Sequence, residues 1–401
     1  MKNSEEKREG QYRPAVALVR CGSYDREEVE EAVRKAFELL GGLKELTGLS
    51  PESRLVMKPN LLSRSAPERA CTTHPAVFRA VGRLLKEEGF ENLTYGDSPG
   101  TPVVKPERVA EECGIKEAAD SLKIPFGKFD SGSQVEFPKG RTAKSFILCD
   151  EITDCDGIIN ICKMKTHQLE RITGAMKNIF GCVFGINKGA SHAKYPTAES
   201  FGRMIADLNS LLKPRLHIMD GILAMEGNGP QSGTPKKMGL ILVSKDPVAL
   251  DGLFCRLVDL RPELVPTNVS GKEQGVGTYE NIEVVTEEGS ISADEAARLY
   301  GDRSFSVERS AEYRGALKPV RFLAPFLEKR PVVKKEKCIG CGLCVRVCPV
   351  EGKAVKVENG RAEYDYGKCI KCYCCQEMCP EEAIAVRKSL LARIADRKWR
   401  M

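Results

Sequence analysis

Two cysteine-rich stretches near the C-terminus decide the fold of that part of the chain. The first reads Cys338-Ile-Gly-Cys341-Gly-Leu-Cys344-Val-Arg-Val-Cys348-Pro349. The second reads Cys369-Ile-Lys-Cys372-Tyr-Cys374-Cys375-Gln-Glu-Met-Cys379-Pro380. Each of the four cysteines in the first stretch has a counterpart 31 residues later in the second. This internal repeat predicts a small unit built from two similar halves.

The spacing of these cysteines indicates the metal group that they bind. C-x2-C-x2-C-x3-C-P is typical of bacterial-type ferredoxins, in which three cysteines bind one 4Fe–4S cluster and the fourth binds the other. Small residues such as Gly340 and Gly342 allow the loop to wrap around a cubane. Two 4Fe–4S clusters are therefore the predicted cofactors. Their crossed ligand sets are Cys338, Cys341, Cys344 and Cys379 for cluster one, and Cys369, Cys372, Cys375 and Cys348 for cluster two.

A pair of zinc sites is the alternative for these eight cysteines. Zinc favours C-x2-C pairs closed by a second pair, whereas this chain has two triplets, each followed by Cys-Pro. Cys374 interrupts the second triplet and is predicted to be a spectator, because its use as a ligand would break the spacing from Cys372. A third metal site formed by Cys162, Cys182 and His167 has no regular spacing, so buried free thiols are the favoured interpretation of these cysteines.

The composition is that of a soluble globular protein. Of the 401 residues, 42% are hydrophobic and 29% are charged, which is enough apolar material for a sizeable core. The polar N-terminus lacks the apolar region of a secretory signal, and no apolar run is long enough to cross a bilayer. We therefore predict a cytoplasmic protein without a transmembrane segment.

The net charge of +6 is confined to the C-terminal part of the chain. Residues 331–401 contain 15 Lys or Arg and 9 Asp or Glu, which accounts for the whole excess. Clusters held by four thiolates are anionic, so we interpret the basic residues as local compensation for them. No nucleic-acid-binding motif accompanies the charge, and we predict no nucleic-acid partner.

Short apolar runs alternate with helical patterns over residues 14–310. Strands are predicted at residues 15–19, 54–58, 93–96, 157–162, 216–219, 240–244 and 282–285, and helices at 27–40, 199–212 and 248–258, with a further helix starting at His74-Pro75. This alternation predicts an α/β fold, with a largely parallel sheet and helices on both faces.

The predicted domain organisation has five parts. Residues 1–13 form a polar extension, 14–310 the α/β domain, 311–332 a connector, 333–388 a small two-cluster ferredoxin domain of α+β type, and 389–401 a basic amphipathic helix. That last helix could touch a membrane surface. Packing on its own domain is favoured, because amphipathic helices usually face a core.

Polar residues follow several predicted strands, at the edge where ligands gather in such sheets. Each of these segments alone is more typical of an ordinary turn or a solvated lysine. Together they predict one polar pocket, with lysines that bind an anionic group of a substrate. The predicted substrate-binding residues are Lys58, Asn60, Asp97, Lys163, Lys177, Asn178, Asp220 and Glu226.

His167 is the candidate catalytic acid or base, with Lys165 as its companion. It lies among lysines at a predicted strand end, where neighbouring positive charge disfavours the protonated imidazole. The other histidines have structural interpretations. His74 is predicted to cap a helix, His217 to pack in the core, and His192 to lie in a loop.

The motifs of the α/β region resemble those of a known family. They are Lys58-Pro59-Asn60, Gly96-Asp97-Ser98, Lys163-Met164-Lys165-Thr166-His167, Gly174-Ala175-Met176-Lys177-Asn178, Asp220-Gly221 with Glu226-Gly227-Asn228-Gly229-Pro230, and Asp246-Pro247-Val248-Ala249-Leu250-Asp251. In order and spacing they resemble, over about residues 15–260, the uncharacterised iron–sulfur-centre protein family, domain of unknown function 362. Members of that family often carry a ferredoxin module. The resemblance implies a fold and a pocket but no agreed reaction.

Three functions are compatible with these features. The favoured one is an oxidoreductase that receives electrons from a redox partner protein or other donor. Its two clusters would pass them to an anionic substrate or partner at the α/β domain. A non-enzymatic electron carrier is the first alternative, with the α/β domain serving only to dock partners. An iron–sulfur or metal maturation factor is the second, and the nine cysteines outside the ligand sets would then matter.

Overall fold

The computed structural model describes residues 12–100, 104–185, 187–310 and 329–387. Most of the predicted N-terminal extension, most of the connector and the whole predicted C-terminal helix lie outside these residues. The domain boundaries predicted there stay predictions.

The strands of the described residues are β1 (Ala15–Arg20), β2 (Leu55–Pro59), β3 (Leu93–Tyr95), β4 (Gly132–Glu136), β5 (Ser145–Cys149), β6 (Gly157–His167), β7 (Arg171–Thr173), β8 (Leu216–Glu226), β9 (Thr234–Ser244), β10 (Glu283–Thr286), β11 (Gly289–Ser292), β12 (Arg330–Val333), β13 (Val355–Glu358), β14 (Arg361–Tyr364) and β15 (Ile384–Arg387).

The α-helices of the described residues are α1 (Arg26–Glu38), α2 (Leu43–Thr47), α3 (Pro75–Glu87), α4 (Pro106–Glu112), α5 (Ile115–Ser121), α6 (Asp150–Asp154), α7 (Ala175–Asn178), α8 (Asn187–Lys194), α9 (Ala198–Leu212), α10 (Pro247–Leu257), α11 (Pro266–Glu273), α12 (Ala293–Tyr300), α13 (Leu343–Arg346) and α14 (Cys374–Glu377). Short 3-10 helices cover Pro67–Arg69, Ile179–Cys182 and Pro262–Leu264.

One mixed sheet organises the large domain. In the described part of the chain its strands follow the order β11-β10-β1-β9-β8-β6-β2-β3, and β7 pairs with β6. The pairs β1–β10, β2–β3, β2–β6 and β6–β8 are parallel, and the remaining pairs are antiparallel. Six of the strands therefore run in one direction, while β7, β9 and β11 run in the other. The predicted α/β fold with a largely parallel sheet is confirmed.

Both faces of the sheet are covered by helices. Along β1, Ala17 and Val19 pack in a cluster with residues of α1, α3 and α5, whereas Val16 and Leu18 pack with residues of α10 and α12. Alternate side chains of a strand point to opposite faces, so the continuous apolar run of β1 contributes side chains to the hydrophobic cores on both sides of the sheet.

Strands β6 and β8 are longer than the sequence predicts. The predicted strand ended at Cys162, but β6 continues through Lys163 and Lys165 to His167, and all of its residues are buried. Polar residues normally end a buried strand, but these have partners inside the protein. In addition, β7 pairs with the extension, with His167 opposite Arg171. The polar residues predicted to lie beyond the strand therefore lie within it.

Helix α10 positions the turn that carries Lys177 and Asn178. It begins after Asp246, whose Oδ1 accepts hydrogen bonds from the N–H groups of Val248 and Ala249, at 2.8 and 2.9 Å. One turn further, Asp251 accepts hydrogen bonds from the backbone N–H groups that open α7, those of Ala175 at 2.6 Å and Met176 at 3.1 Å. The aspartates of the Asp-Pro-Val-Ala-Leu-Asp motif thus start one helix and anchor another.

The C-terminal unit has the two-fold arrangement predicted from its repeat. β12 pairs with β15 and β13 pairs with β14, both antiparallel. Each half contributes one short helix, α13 or α14. The cysteines and a few small apolar residues form the core of this unit. A small strand-rich domain of ferredoxin type is confirmed.

We expect Asp251→Ala to destabilise the protein at pH 5 by about 2 kcal/mol or more, because two buried N–H groups lose their acceptor. Burial raises the pKa of Asp251 to about 7. The folded state therefore binds this proton more tightly than the unfolded chain does. The stability linked to it is lost as pH rises from about 4 towards 7, so the difference between wild type and variant should be smaller at pH 8. Urea unfolding at both pH values measures it.

The matched control is Asp294→Ala, which removes an exposed carboxylate that forms a surface ion pair with Arg256. Its effect should stay within about 0.5 kcal/mol at both pH values. An equal effect of the two substitutions would contradict the role assigned to Asp251.

Candidate functional site

The eight predicted ligand cysteines form two groups in the structure. Two small cavities inside the C-terminal unit are each lined by four of them. The first group is Cys338, Cys341, Cys344 and Cys379, and the second is Cys348, Cys369, Cys372 and Cys375. The structure therefore brings together the same crossed sets that the spacing predicts.

The surroundings of these thiols fit iron–sulfur clusters. Backbone N–H groups point at three of the sulfurs, from Ala362 to Cys338, from Ala354 to Cys348 and from Ala383 to Cys379, at 3.3–3.4 Å. The hydroxyl of Tyr364 lies 3.0 Å from the sulfur of Cys375. Such donors stabilise the negative charge on cluster sulfurs and tune the reduction potential.

Single metal ions fit less well. Among the described residues, no three His, Cys, Asp or Glu side chains converge as the ligands of one ion. A zinc ion needs its sulfurs about 2.3 Å from one centre, and a cubane holds its four thiolates further apart. The same finding gives no support to a third metal site at Cys162, Cys182 and His167. Cys374 lines a different, larger cavity instead of the cluster cavity beside it.

The ferredoxin unit docks on the α/β domain through a small set of polar contacts. Gln376 of α14 donates a hydrogen bond to the carbonyl of Asn228, at 2.9 Å. Its neighbour Glu377 lies with Oε1 2.8 Å from Nε2 of His167. Arg69 forms an ion pair with Glu382. The loop after β8, the end of β6 and the 3-10 helix Pro67–Arg69 thus form the docking surface.

A cavity of about 370 Å³ lies between the two domains. The α/β domain contributes the ends of β2, β3 and β6, helix α7 and helix α8. The ferredoxin unit contributes residues of α13 and α14 and the segment Val347–Pro349. One of the cluster-cavity cysteines, Cys348, is part of this wall. The cavity is therefore shared by the sheet edge and the cluster-binding unit.

Four cationic side chains line the cavity. Lys165 is fully buried, and burial together with the neighbouring Lys177 charge lowers its pKa to about 7. Burial likewise lowers the pKa of Lys188 to about 8. Lys177 and Arg346 complete the set. The cavity is strongly cationic below pH 7 and loses part of its charge as pH rises through 7 and 8.

A chain of amides forms the floor of the cavity. Nζ of Lys165 donates to Oδ1 of Asn60 at 2.8 Å and to the carbonyl of Cys71 at 2.5 Å. Asn60 donates to Asn178 at 2.8 Å, and Asn178 donates to Asn160 at 2.7 Å. Because each amide is held by the next, the position of Lys165 is determined by residues from three different elements.

Lys58 and Asp97 form a buried ion pair at the same edge, with Nζ 3.0 Å from Oδ1. The other carboxylate oxygen of Asp97 accepts a hydrogen bond from the N–H of Leu61, at 2.7 Å. Asp97 lines the cavity and Lys58 lies behind it. Gly181 packs directly against the pair, where a side chain would collide with both partners. The pair is a structural part of the cavity wall.

Three of the predicted substrate-binding residues lie elsewhere. Nζ of Lys163 donates to Oδ2 of Asp220 at 2.7 Å and to the hydroxyl of Tyr24 at 2.8 Å. Glu226 accepts a hydrogen bond from the N–H of Ser306 at 2.7 Å. None of Lys163, Asp220 and Glu226 lines the cavity. Residues two apart on a regular strand share a face, but the pairing of β6 with β8 shifts its register between Lys163 and Lys165, and only Lys165 lines the cavity.

His167 is a fully buried contact between the domains. Its Nδ1 accepts hydrogen bonds from the N–H groups of Leu169 and Glu170, both at 3.1 Å, so the ring proton lies on Nε2, facing Glu377. Burial and the charge of Lys177 lower the pKa of His167 to about 4. Burial alone would raise the pKa of Glu377, but His167 and Lys177 outweigh it and hold that pKa far below its ordinary value. At neutral pH a neutral imidazole therefore faces a carboxylate.

The sequence did not reveal several residues of the cavity. Lys188 and His192 come from α8, whereas the sequence predicts a loop at His192. Thr173 comes from the short strand β7. Arg346 lies between two ligand cysteines, where its charge was attributed to cluster compensation. The one available signal was the helical spacing of Lys188 and His192, four residues apart, which places both on one face.

Together, the sheet, the two cysteine groups and the shared cavity define an iron–sulfur protein with a ferredoxin-type domain on an α/β domain. Residues 330–380 match the family described as 4Fe-4S dicluster domain, and residues 55–256 match Domain of unknown function (DUF362). The chain belongs to the DUF362 family, and the resemblance seen in the sequence is confirmed.

The chain is also similar in sequence to a protein from Synechocystis sp.. The thylakoid-associated protein sll1697 of Synechocystis sp. is 35% identical over 269 residues, which make up 65% of this chain and 80% of that protein. Among the residues that the structure describes, no helix has the length and apolar character needed to cross a bilayer.

We expect Gly181→Ala to destabilise the protein by about 1–3 kcal/mol. The added Cβ would collide with Asp97 and Lys58 and force their ion pair apart. Thermal or urea unfolding measures the loss. Gly189→Ala is the control, because a Cβ there meets no atom within 4 Å and alanine favours the surrounding helix. If the two variants are equally stable, the close packing assigned to Gly181 is wrong.

Proposed function

We propose that this protein is an iron–sulfur oxidoreductase that passes single electrons from two 4Fe–4S clusters to an anionic substrate in the cavity between its domains. The observation that carries the proposal is the position of Cys348. This cysteine belongs to the second ligand group and also to the wall of the cationic cavity. A molecule in the cavity would therefore lie next to the second cluster.

The charges of the cavity support an anionic substrate. Lys165 has only neutral partners, Asn60 and the carbonyl of Cys71. Lys177 and Lys188 form no ion pair with any described residue. Lys165 and Lys188 are buried. Buried cations without a counter-charge are costly, and an anion that replaces water around them stabilises the site.

The clusters supply single-electron transfer, and the protein supplies the binding site. Lys177 and Lys188 would hold the anionic group, and the amides of Asn60 and Asn178 would keep Lys165 in place. The docked ferredoxin closes one side of the cavity and so excludes water from it. His167 holds Glu377 at the interface. In this arrangement it is a positioning residue, since its ring nitrogens are both engaged.

A non-enzymatic electron carrier is the second candidate, because the opposite side of the ferredoxin unit is open. Cys341 is exposed, and Ile339 beside it is 65% exposed. A partner protein could exchange electrons there without any small molecule. A maturation factor has less support, because all but one of the nine other cysteines are buried.

We predict a cytoplasmic location for this protein. The relative's name reports association with thylakoids for that protein, and peripheral attachment to a membrane is the alternative for this one. Fractionation of cells in high and low salt distinguishes the two locations.

Anaerobically purified protein should contain about eight irons per chain if both ligand groups hold a cluster. Cys375→Ser should reduce this to about four, because it removes one ligand of the second cluster. Cys374→Ser is the matched control one residue away and should keep about eight. Iron and sulfide analysis with EPR of the reduced protein measures these values. About four irons in the wild type would mean that one ligand group is not used.

Reduced clusters should be reoxidised by a small anionic metabolite. The protein is reduced with dithionite, freed of excess reductant and mixed anaerobically with the anion-exchange-retained small molecules of a cell extract. Lys177→Gln should slow the return of visible absorbance about tenfold or more, since a charged contact is lost. Lys194→Gln, on the exposed side of α8, should leave the rate unchanged. Reoxidation by a protein fraction alone would favour the carrier.

A further inference from the structure

The cations of the cavity come from both domains. Lys177 and Lys188 belong to the α/β domain, and Arg346 belongs to helix α13 of the ferredoxin unit. None of the three forms an ion pair or hydrogen bond with a described residue. The two walls of one cavity thus each carry unpaired positive charge.

The acidic residues of the wall offset only part of this positive charge. Asp97 is paired with Lys58 and with the N–H of Leu61. Glu377 faces Nε2 of His167 at 2.8 Å. Because that imidazole is neutral, the charge of Glu377 offsets part of the charge of Lys177. One carboxylate does not balance three cations, so net positive charge on Lys177, Lys188 and Arg346 is left for a ligand.

Two buried polar groups in the wall also lack partners. Oγ1 of Thr173 and Nδ1 of His192 form no hydrogen bond with any described residue, although these residues are only 3% and 4% exposed. Buried polar atoms almost always have a partner, and such exceptions require an explanation. Both residues line the cavity, so a polar ligand explains them.

The rest of the lining limits the size and character of that ligand. Leu61, Phe180, Val347 and Met378 place apolar surface between the charged groups. The volume of about 370 Å³ is at the small end of the range for organic ligands. A compact inorganic ion would leave most of this surface uncovered.

We infer that the cavity binds one small organic molecule with at least two separated anionic groups, carboxylate or phosphate, held by Lys177 and Lys188 on one wall and by Arg346 on the other. This inference rests on the proposed function for the role of the ligand as electron acceptor, but its binding is independent of that role. The site is complete only when the ferredoxin unit is docked. Arg346, between the cluster ligands Cys344 and Cys348, places one anionic group beside the second cluster.

Binding of defined anions to the full-length, cluster-loaded protein tests the inference by anaerobic titration calorimetry. Citrate represents several carboxylates, and 2-phosphoglycolate represents one phosphate and one carboxylate. Acetate and inorganic phosphate represent single anionic groups. At least one of the first two should bind about tenfold or more tightly than both single-group anions, since each charged contact contributes about a factor of ten.

Variants assign the binding to the two walls. Arg346→Gln and Lys188→Gln should each weaken the favoured probe about tenfold or more. Arg361→Gln and Lys194→Gln are exposed controls on the same two domains and should have no effect. Iron content is measured for every variant, because Arg346 neighbours the cluster ligands. If Arg346→Gln loses its cluster, Lys188→Gln still tests the inference, because Lys188 lies far from the cluster ligands in the sequence.

The inference is overturned if neither citrate nor 2-phosphoglycolate binds, if the single-group anions bind as tightly, or if Lys188→Gln behaves like its control. Its failure can be told apart from failure of the proposed function. Tight binding of such a probe, with no anionic fraction able to reoxidise the clusters, would leave the inference standing and refute the oxidoreductase. Reoxidation of the clusters by a molecule with a single anionic group would support the oxidoreductase and refute the inference of two anionic groups.

Discussion

The complete burial of three lysine side chains is the constraint on which the rest of this structure depends. Lys58, Lys163 and Lys165 all lie on strands in the centre of the sheet and have no exposed surface. An isolated buried ammonium is strongly unfavourable, so each must have partners inside the protein. Asp97 forms an ion pair with Lys58, and Asp220 forms one with Lys163. The loops after β2 and β3 and the bulged strand β8 are held in place because they provide these partners.

Lys165 differs from the other two buried lysines because it has no carboxylate partner among the described residues, and this leaves positive charge at the cavity. Its partners are an amide and a carbonyl, so its charge is solvated but not neutralised, and its pKa falls to about 7. With Lys177 and Lys188 nearby, the sheet edge presents net positive charge. At this edge the ferredoxin unit contributes the carboxylate of Glu377, which faces a neutral histidine. Docking gives the carboxylate of Glu377 a partner in His167, and it leaves Lys177 and Lys188 in the cavity wall without an ion pair among the described residues.

The position of the ferredoxin unit also gives its two ligand groups different surroundings. Cys348 of the second ligand group lines the cavity, whereas Cys341 of the first ligand group is exposed. Two similar groups of cysteines thus acquire different environments through docking. The ferredoxin-type unit becomes asymmetric in this way, with one open side and one side enclosed against the α/β domain.

The sequence by itself determined the ferredoxin-type unit, the crossed grouping of its cysteines and the α/β class. Those features depend on local spacing and on alternation of apolar and polar residues, which short segments carry. It also identified Lys165, Asn60, Asp97, Lys177 and Asn178 as members of one polar edge, since parallel strands end together. Only the tertiary structure separated Lys163, Asp220 and Glu226 from that edge, extended β6 through its lysines, and added Lys188, His192 and Arg346. The reason is that burial, strand facing and domain docking depend on contacts between residues far apart in the chain, and no spacing within one segment reports them.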